Sequence, residues 1–376
     1  MGWEDSSVSH LSVVMTTDQG ETTQTSGAPA VTSTSRGAAV YFECAVLFIG
    51  VVGTIANGLV LYALVASKQH KKHVLIVNQN ALDLYSCVLL IITYGMKLFN
   101  IRLVGLRGYW LCMLLFSENL LWCGVYGSFV NLTVIAFERY LKVAHSIWSK
   151  AHLRKWMTYL VMAFIWISSF VHQMAVAFVS SAVIDGACYG YRIWENPVSG
   201  VAYGIFYFFA AYVIVLAIFV FCYGKILIAI RRQAQVMSGH SATGTGSTTA
   251  QAQSHQIQSN IIKTMILVCA FYAIAWLPEN INSMTHTFVA YLLAHRGVRA
   301  SHKLPENIYF LLMSLNLNLS FLDSGYYSVL FIAFLYICAN PFIYATKFDP
   351  VRRTLVRLIP CQKVSESAGG GSVETT

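Results

Sequence analysis

Several charged and polar side chains lie inside or at the end of long apolar stretches, and these residues are the most able to do chemistry. Glu138, Arg139 and Tyr140 end one such stretch, which begins near Cys112. A charge inside or at the rim of a membrane helix costs free energy and by default indicates a function. The alternative is that Arg139 is only the first of the cations that anchor a helix end. These residues alone leave both explanations open.

Polar residues and prolines also occur inside this stretch and inside the other apolar stretches. They are Asn57, Asp83, Glu118, Ser128, Asn131, Trp276, Pro278, Glu279, Asn280, Asn340 and Pro341. A carboxylate such as Asp83 must face the interior of a helix bundle, where it can find partners or water. The alternative for the Asn and Ser side chains is that they merely link helices by hydrogen bonds, each worth about 0.6–2 kcal/mol. That role alone does not explain the whole set. Pro278 and Pro341 predict kinks that can act as hinges.

The elements that must position these residues are predicted to be membrane helices. Hydrophobic residues make up 56% and charged residues 11% of the 376 residues, which indicates a polytopic membrane protein. Seven apolar segments, which we call spans 1 to 7, are each long enough to cross about 30 Å of hydrocarbon as a helix. They lie at about 41–66, 74–97, 112–139, 156–180, 200–230, 258–286 and 322–346. The predicted fold class is therefore an all-α membrane protein, a seven-transmembrane helix bundle.

The basic residues predict how the bundle is oriented. Most of the 25 Lys and Arg residues follow spans 1, 3 and 5 or lie in the C-terminal region. By the positive-inside rule these regions are cytoplasmic, which leaves the N-terminus extracellular and the C-terminus cytoplasmic. The net charge of +9 is thereby explained by topology, so we expect the lipid bilayer and no nucleic acid as a partner. We expect a multi-pass protein of the plasma membrane.

The regions outside the spans have a composition typical of tails and linkers. The predicted domains are a disordered extracellular tail at 1–40, the seven-transmembrane domain at 41–347 with a flexible linker at about 233–256, and a cytoplasmic region at 348–376. We expect no cleaved signal peptide, because the first residues lack a basic region followed by an apolar core. In the last region, Pro350 can start a short amphipathic eighth helix on the membrane surface. Cys361 just beyond it is a palmitoylation candidate, or else an unmodified cysteine.

Taken in order, the motifs resemble those of the rhodopsin-like (class A) G-protein-coupled receptors, over about residues 41–361. The matching residues are Asn57 and Gly58, Asn80 to Asp83, Glu138 to Tyr140, Trp166, Tyr223, Trp276 to Pro278, and Asn340 to Tyr344. Each motif alone is weak, but their order and their places in successive spans are specific. The resemblance implies an extracellular ligand and a heterotrimeric G protein as partners.

The resemblance also implies how the receptor would switch. Glu138 would hold Arg139 at rest, and Arg139 would swing toward Tyr223 and a G-protein helix when span 6 moves outward. Tyr344, in the motif that begins at Asn340 and Pro341, would move inward to the same region. An agonist can shift such a two-state bundle only by binding the open state better than the closed one.

Two further features follow from the same resemblance. Trp276, over the kink at Pro278 and one turn beyond Tyr272, would sense the ligand. Cys112 and Cys188 correspond to the pair that joins the top of span 3 to the second outer loop as a disulfide.

Several positions depart from the family pattern. Val215 replaces a proline of span 5, Ala275 replaces a cysteine, and Tyr272 replaces a phenylalanine. Cys112 lies 27 residues before Arg139, two more than usual, which puts the geometry of this end of span 3 in doubt.

The family's sodium pocket is matched only in part. Asp83, Ser128 and Asn340 fit it, whereas Tyr336 and Ile337 replace its small polar pair. An allosteric sodium ion is therefore left open, and we expect no other cofactor and no other metal site.

One restraint on Arg139 that some members carry is missing. Gln258 stands where those members place an acid that clamps the arginine, so we hypothesise measurable activity without ligand.

The ligand pocket is predicted in the outer half of the bundle. Leu121 replaces the aspartate that binds monoamines, and Phe334 replaces the lysine that binds retinal, so an ordinary opsin is excluded. Glu118 and Glu279 are carboxylates that either meet a cationic ligand or pair internally with Asn280, His286 or Tyr126. The pocket candidates are Tyr94, Glu118, Leu121, Trp122, Tyr126, Tyr207, Glu279, Asn280 and Tyr326. A peptide or a small cation is the expected ligand class.

Other classes of function fit the sequence less well. A transporter would show matching halves with broken helices, and these are absent from the pattern. A membrane enzyme would need clustered metal-binding or catalytic residues, and His172 and His286 are isolated. A receptor that acts only as a scaffold is disfavoured by Arg139 and Tyr344. Asn318 begins a glycosylation sequon whose nearness to the membrane makes its use doubtful.

Overall fold

The computed structural model describes the backbone of residues 30–99, 101–190, 197–240, 262–284, 319–347 and 349–357. It describes the side chains of residue 37 and of residues 39–99, 101–190, 198–232, 262–284, 327–346 and 351–357. The chain divides into two compact units, Met1–Ala38 and Ala39–Thr376. Every side-chain contact given below lies within the second unit.

Helices make up most of the described backbone. They comprise Ala30–Ala66, Gln69–Lys71 (3₁₀), Val74–Lys97, Gly105–Leu111, Cys112–Phe116 (π), Asn119–Ala144, Ser146–His152, Lys155–Ser180, Pro197–Tyr207, Phe208–Val213 (π), Ile214–His240, Ile262–Met284, Leu319–Lys347 and Asp349–Val356. Two strands, β1 (Ala182–Ile184) and β2 (Ala187–Tyr189), form an antiparallel hairpin between spans 4 and 5.

Seven helices among the described residues are long and apolar enough to cross a membrane. They give spans 1 to 7 the bounds Ala39–Ala66, Val74–Lys97, Gly105–Ala144, Lys155–Ser180, Val198–Arg232, Ile262–Met284 and Tyr327–Thr346. The predicted seven-span fold class is confirmed. We call the end of the bundle near Arg139 the Arg139 end, and the opposite end the disulfide end.

Some helix ends differ from the predicted bounds. The first helix begins at Ala30 rather than at residue 41, and the helix of span 5 continues to His240, into the predicted linker. After span 7, the helix Asp349–Val356 buries Val351 and exposes Arg352 and Arg353. This alternation is amphipathic, and its place on a membrane surface stays a prediction.

Span 3 is not the single regular helix that its apolar pattern predicts. A π-helical turn at Cys112–Phe116 is followed by Glu118 in a left-handed conformation, with φ 64°, and the α-helix resumes at Asn119. The Ser117 hydroxyl lies 2.8 Å from the Cys112 carbonyl oxygen and 2.7 Å from that of Met113. The irregular stretch uses more residues than an unbroken helix would, which accommodates the two extra residues before Arg139. The predicted span over 112–139 is therefore helical but interrupted at the end whose geometry the two extra residues put in doubt.

Spans 2 and 3 approach closely because span 3 carries small residues where they meet. A Cβ atom on Gly124 would lie 2.7 Å from Cδ1 of Tyr85, and one on Gly127 would lie 2.9 Å from Cδ2 of Leu82. Close backbone approach at small residues is a common way in which membrane helices associate. The approach brings the polar residues of the two spans within hydrogen-bonding reach.

We expect Gly124→Ala to lower the stability of the folded bundle by about 1–3 kcal/mol, because the added methyl overfills the contact between spans 2 and 3. Gly58→Ala is the matched control, since nothing lies within 4 Å of its added Cβ. It should leave the melting temperature unchanged or raise it slightly through the helix preference of alanine. The measurement is thermal unfolding in lipid nanodiscs, and equal melting temperatures for the two variants would contradict the packing argument.

Candidate functional site

A buried polar cluster joins spans 2, 3 and 7 around Asp83, which has no exposed surface. Ser128 Oγ donates to Asp83 Oδ1 at 2.9 Å, and Asn340 Nδ2 donates to Asp83 Oδ2 at 3.0 Å. Gln79 Nε2 donates to Asp83 Oδ1 at 3.3 Å. The structure thus brings the three predicted sodium-site residues together and adds Gln79. The sequence analysis missed Gln79, although its position one helical turn before Asp83 was the available signal.

This donor set suits a hard cation only in part. Asp83 and Ser128 offer oxygen atoms, which such cations prefer. Gln79, however, directs its amide N–H group at both of those side chains. A cation and these N–H groups would compete for the same oxygen atoms, so sodium binding stays a prediction.

A second network continues from Gln79 toward the Arg139 end. Asn131 Nδ2 donates to Gln79 Oε1 at 2.8 Å and to the Leu75 carbonyl oxygen at 3.0 Å. Asn78 Nδ2 donates to Asn131 Oδ1 at 2.9 Å, and Trp166 Nε1 donates to Asn78 Oδ1 at 3.0 Å. Spans 2, 3 and 4 are therefore tied by side chains whose donors would otherwise be unpaired inside the bundle.

Arg139 lies two helical turns beyond Asn131 on span 3, and its side chain is mostly buried, with 12% exposed. Its Nε atom is 3.8 Å from Glu138 Oε2, while Lys142 Nζ is 2.6 Å from Glu138 Oε1. Arg139 instead forms a hydrogen bond with His73, with 3.3 Å between Nη2 and Nδ1. Glu138 thus pairs more closely with Lys142 than with Arg139, and His73 is a contact that the sequence analysis did not anticipate.

The other residues of the predicted switch surround this end of the bundle. Tyr223 is 6% exposed and Tyr344 has no exposed surface. No hydrogen bond between Arg139 and either tyrosine is recorded among the described side chains. Tyr140 is engaged elsewhere, since its hydroxyl lies 3.1 Å from His145 Nε2. Arg139 is thus apart from both tyrosines, but Glu138 does not hold it as closely as the sequence predicts, and the switch itself stays a prediction.

Trp276 stands at the centre of an aromatic group that joins spans 3, 6 and 7. Its ring centroid lies 4.6 Å from that of Phe129, 6.0 Å from that of Trp122 and 6.3 Å from that of Tyr336. Trp122 also packs on Phe334 at 6.3 Å. A displacement of Trp122 or Trp276 would therefore be transmitted directly between these spans.

Two tyrosines connect spans 5 and 6 through backbone oxygen atoms. Tyr212 Oη donates to the Ala273 carbonyl at 2.8 Å, and Tyr272 Oη donates to the Ala211 carbonyl. Ala211 and Tyr212 belong to the π-helical turn Phe208–Val213, directly before Val215. The span therefore carries a local distortion close to the position where the family pattern has a proline.

At the disulfide end, Cys112 and Cys188 form a disulfide between span 3 and β2, as predicted. Leu103 N–H donates to the Gly186 carbonyl at 3.0 Å, which fastens the hairpin to the loop before span 3. A cavity of about 520 Å³ opens between them, and its lining includes Glu43, Lys97, Arg102 and Asp185. Both signs of charge therefore face this cavity.

Glu118 is paired within the protein. Lys97 forms a salt bridge with Glu118 Oε1, and Tyr94 Oη donates to the same oxygen at 2.8 Å. The Lys97 ammonium also lies 4.5 Å from the centroid of the Tyr94 ring. The internal alternative for Glu118 therefore holds, but with Lys97 and Tyr94 as partners rather than Asn280, His286 or Tyr126. Lys97 was missed because a lysine at a span end gives no sign of which way its flexible side chain turns.

Glu279 differs from Glu118. Its Oε2 atom is buried and has no hydrogen-bond partner among the described residues. Its neighbour Asn280 uses its amide to donate to the Trp276 carbonyl at 2.8 Å. A buried carboxylate oxygen without a donor is costly, so it marks a place where a ligand can supply one.

The remaining pocket candidates are distributed around these acids. Tyr126 stacks on His172 at 4.7 Å, and His172 lies 6.1 Å from Tyr203, which in turn lies 6.2 Å from Tyr207. Leu121 is fully buried. The side chains of Gln258, His286, Asn318, Tyr326 and Cys361 lie outside the described residues, so their predicted roles stay predictions.

The amino-acid sequence is similar to those of known proteins. A family profile described as "7 transmembrane receptor (rhodopsin family)" matches residues 56–344. Galanin receptor type 1 of Rattus norvegicus is 22% identical over 329 residues, covering 86% of this chain and 83% of that receptor. Opsin-5 of Homo sapiens is 25% identical over 259 residues, 64% of this chain and 66% of the opsin, which is just under two thirds. Substance-K receptor of Homo sapiens is 26% identical over 176 residues, 46% of this chain and 42% of the receptor.

The match covers most of the chain and includes spans 2 to 6 entire, together with Asp83, Arg139 and Tyr344. The chain therefore belongs to the rhodopsin family of seven-transmembrane receptors, and it is not an enzyme.

Proposed function

We propose that this receptor binds an extracellular ligand at its disulfide end and activates a heterotrimeric G protein at its Arg139 end. The observation that carries the proposal is the continuous buried network through Asp83, Gln79 and Asn131. It connects spans 2, 3, 4 and 7. Such a network has a defined arrangement, so a change at one end of the bundle can favour a second arrangement at the other.

Opening of the Arg139 end would proceed through span 6. Trp276 packs against spans 3 and 7, and the Tyr212 and Tyr272 hydroxyls tie spans 5 and 6 at one level. A ligand that moves Trp276 would pivot span 6 about Pro278. This movement of span 6 would uncover Arg139, Tyr223 and Tyr344 for the G protein, provided that the ligand binds the open state more tightly than the closed one.

We expect Arg139→Ala to abolish nucleotide exchange on G proteins while leaving the fold intact, because Arg139 is the contact that the partner would use. The receptor would be assayed without ligand in lipid nanodiscs against purified heterotrimers of several classes. Gln258→Glu should lower the ligand-free rate by restoring an acidic clamp. Unchanged exchange in Arg139→Ala would contradict the proposal and favour a role as a scaffold.

The Arg139 end also presents an apolar surface for a partner. On the short helix Ser146–His152, Ile147 is 87% exposed and Trp148 is 47% exposed, beside the cationic Lys150. An exposed apolar side chain on a polar face of a membrane receptor suits a protein partner with an apolar pocket. This helix was not predicted, because residues 146–152 follow a charged span end and carry no long apolar pattern.

Ile147→Ala should reduce G-protein activation by about tenfold, the effect of losing one central apolar contact worth about 1.4 kcal/mol. Leu106→Ala is the matched control, since Leu106 is 73% exposed at the disulfide end. The measurement is the concentration of G protein that gives half-maximal nucleotide exchange. Equal shifts in both variants would show that Ile147 is not part of the partner surface.

The ligand class is inferred from the different pairing of Glu118 and Glu279. Lys97 already neutralises Glu118, whereas Glu279 Oε2 lacks a donor among the described residues. We therefore infer that a cationic group of the ligand, an amine or guanidinium of a peptide or of a small cation, is received by Glu279. The tyrosines between spans 3 and 5 would supply the aromatic surroundings that favour such cations.

Glu279→Gln should weaken activation by a cationic agonist at least tenfold, because it removes the counterion. The probe is a screen of short peptides and small amines, each paired with an acetylated, uncharged analogue, read by nucleotide exchange. Glu118→Gln should instead lower the melting temperature, since it leaves Lys97 half-buried without its anion. A cationic agonist that activates Glu279→Gln at wild-type concentrations would disprove this assignment.

A further inference from the structure

The geometry around Arg139 shows that its acidic neighbour is not its main restraint. The distance of 3.8 Å between Arg139 Nε and Glu138 Oε2 allows an ion pair but exceeds a hydrogen bond, and Arg139 Nε has no hydrogen-bond partner among the described residues. Lys142 Nζ donates to the other carboxylate oxygen, Glu138 Oε1, at 2.6 Å. Another group must therefore fix the direction of the guanidinium.

That group is His73, whose Nδ1 atom lies 3.3 Å from Arg139 Nη2. An arginine nitrogen can only donate, so Nδ1 must accept, and the ring proton must lie on Nε2. An imidazolium, which is protonated on both nitrogens, could not make this contact. The contact therefore exists only while His73 is neutral.

The backbone holds His73 in place for this contact. Its N–H donates to the Gln69 carbonyl at 3.0 Å, and its own carbonyl accepts from Ile76 N–H at 3.0 Å and Val77 N–H at 3.1 Å. Lys68 precedes the turn with φ 57°, in the left-handed region. The imidazole is thus fixed between a tight turn and the first turn of span 2, outside the membrane segments.

Burial and the surrounding charges together keep the ring neutral. Burial, followed by the charges of Arg139 and Lys142, lowers the pKa of His73 from its ordinary value of 6.5 to about 4. Lys72 on its own loop acts in the same direction, and Glu138 opposes them. These are the charged groups that face the ring among the described residues, and cations outnumber the single anion.

We propose that His73 is a positioning residue, a neutral clamp that holds Arg139 in the resting receptor in place of an acidic partner. The inference rests on the proposed function, because Arg139 must leave His73 before it can reach a G protein. Release also makes His73 more basic, since the guanidinium beside the ring is gone. Acid therefore favours the released state.

The sign of the pH effect follows from proton binding. In the clamped state the pKa of His73 is about 4, and in the released state the loss of the Arg139 charge raises it toward the ordinary value of 6.5. The clamp is at full strength above that ordinary value and weakens as the pH falls toward 4. Between about pH 7.5 and about pH 6, the ratio of released to clamped receptor should rise, by at most about fourfold, the value reached when the released ring regains its ordinary pKa.

The experiment compares ligand-free nucleotide exchange among His73 variants in nanodiscs. His73→Leu removes the acceptor and should raise the ligand-free rate. His73→Asn places an amide oxygen near the position of Nδ1, and its rate should fall below that of His73→Leu and lose the dependence on pH. His70→Leu, three residues earlier in the same turn, is the matched control and should signal like the wild type.

A second measurement is independent of any G protein. In protein labelled with ¹⁵N on its 11 histidines, the resonance that disappears in His73→Asn should show an unprotonated Nδ1 at neutral pH. Arg139→Ala should raise its pKa from about 4 toward 6.5. A protonated Nδ1, or a wild-type pKa already near 6.5, would overturn the clamp whatever the signalling result.

The two measurements separate the two hypotheses. If Arg139→Ala abolishes exchange while His73→Leu signals like the wild type, the clamp is wrong and the proposed function stands. If the ¹⁵N signals show the contact but Arg139→Ala leaves exchange unchanged, the proposed function fails, and with it the role of the contact as a restraint on signalling.

Discussion

The bundle depends on one constraint, which is that a carboxylate inside it must receive its hydrogen bonds from the protein. Asp83 has no exposed surface, and spans 2, 3 and 7 each direct a donor at its two oxygens. A buried acceptor left without a donor would cost about 1–3 kcal/mol or more. The rotation of these spans about their axes is therefore limited to arrangements in which Gln79, Ser128 and Asn340 all point at one place. The close contact at Gly124 and Gly127 makes that arrangement reachable.

The same constraint distinguishes four of the acids in the spans. Asp83 is bonded by neutral donors, Glu118 by Lys97, and Glu138 by Lys142. Only the Glu279 Oε2 atom, among the carboxylate oxygens of the described residues that are buried, has no donor. A carboxylate whose oxygens receive hydrogen bonds from the protein stabilises the fold, whereas a carboxylate with an unbonded oxygen can still accept a hydrogen bond from another molecule. This difference is why the ligand hypothesis rests on Glu279 and not on Glu118.

The fold and much of the site could be predicted from the sequence. Seven apolar runs, the cysteine pair and the residues around Asp83 could be recognised because each lies at a fixed place along its own helix. The roles of His73 and Lys97 could not, because each contacts a residue of span 3. Their role depends on how neighbouring helices are rotated and on the direction of a flexible side chain, and periodicity reports neither. Gln79 was missed although it lies one helical turn before Asp83. The two extra residues before Arg139 put this end of span 3 in doubt, but they could not place the break at Glu118, since a left-handed conformation at a glutamate is rare and leaves no pattern.

That break links the irregular backbone to the charge pairing at the disulfide end. A left-handed residue other than glycine costs about 1–2 kcal/mol, and Glu118 adopts this conformation where it meets Lys97 and Tyr94. The ion pair and the Ser117 bonds to the π-helical turn offset this cost. A cationic ligand that approached Glu118 would have to displace Lys97 and would loosen the support of the break. A ligand cation that approached Glu279 displaces no described partner. Recognition at Glu279 therefore leaves the disulfide end of span 3 intact, and the binding free energy can act on span 6, which carries both Glu279 and Trp276.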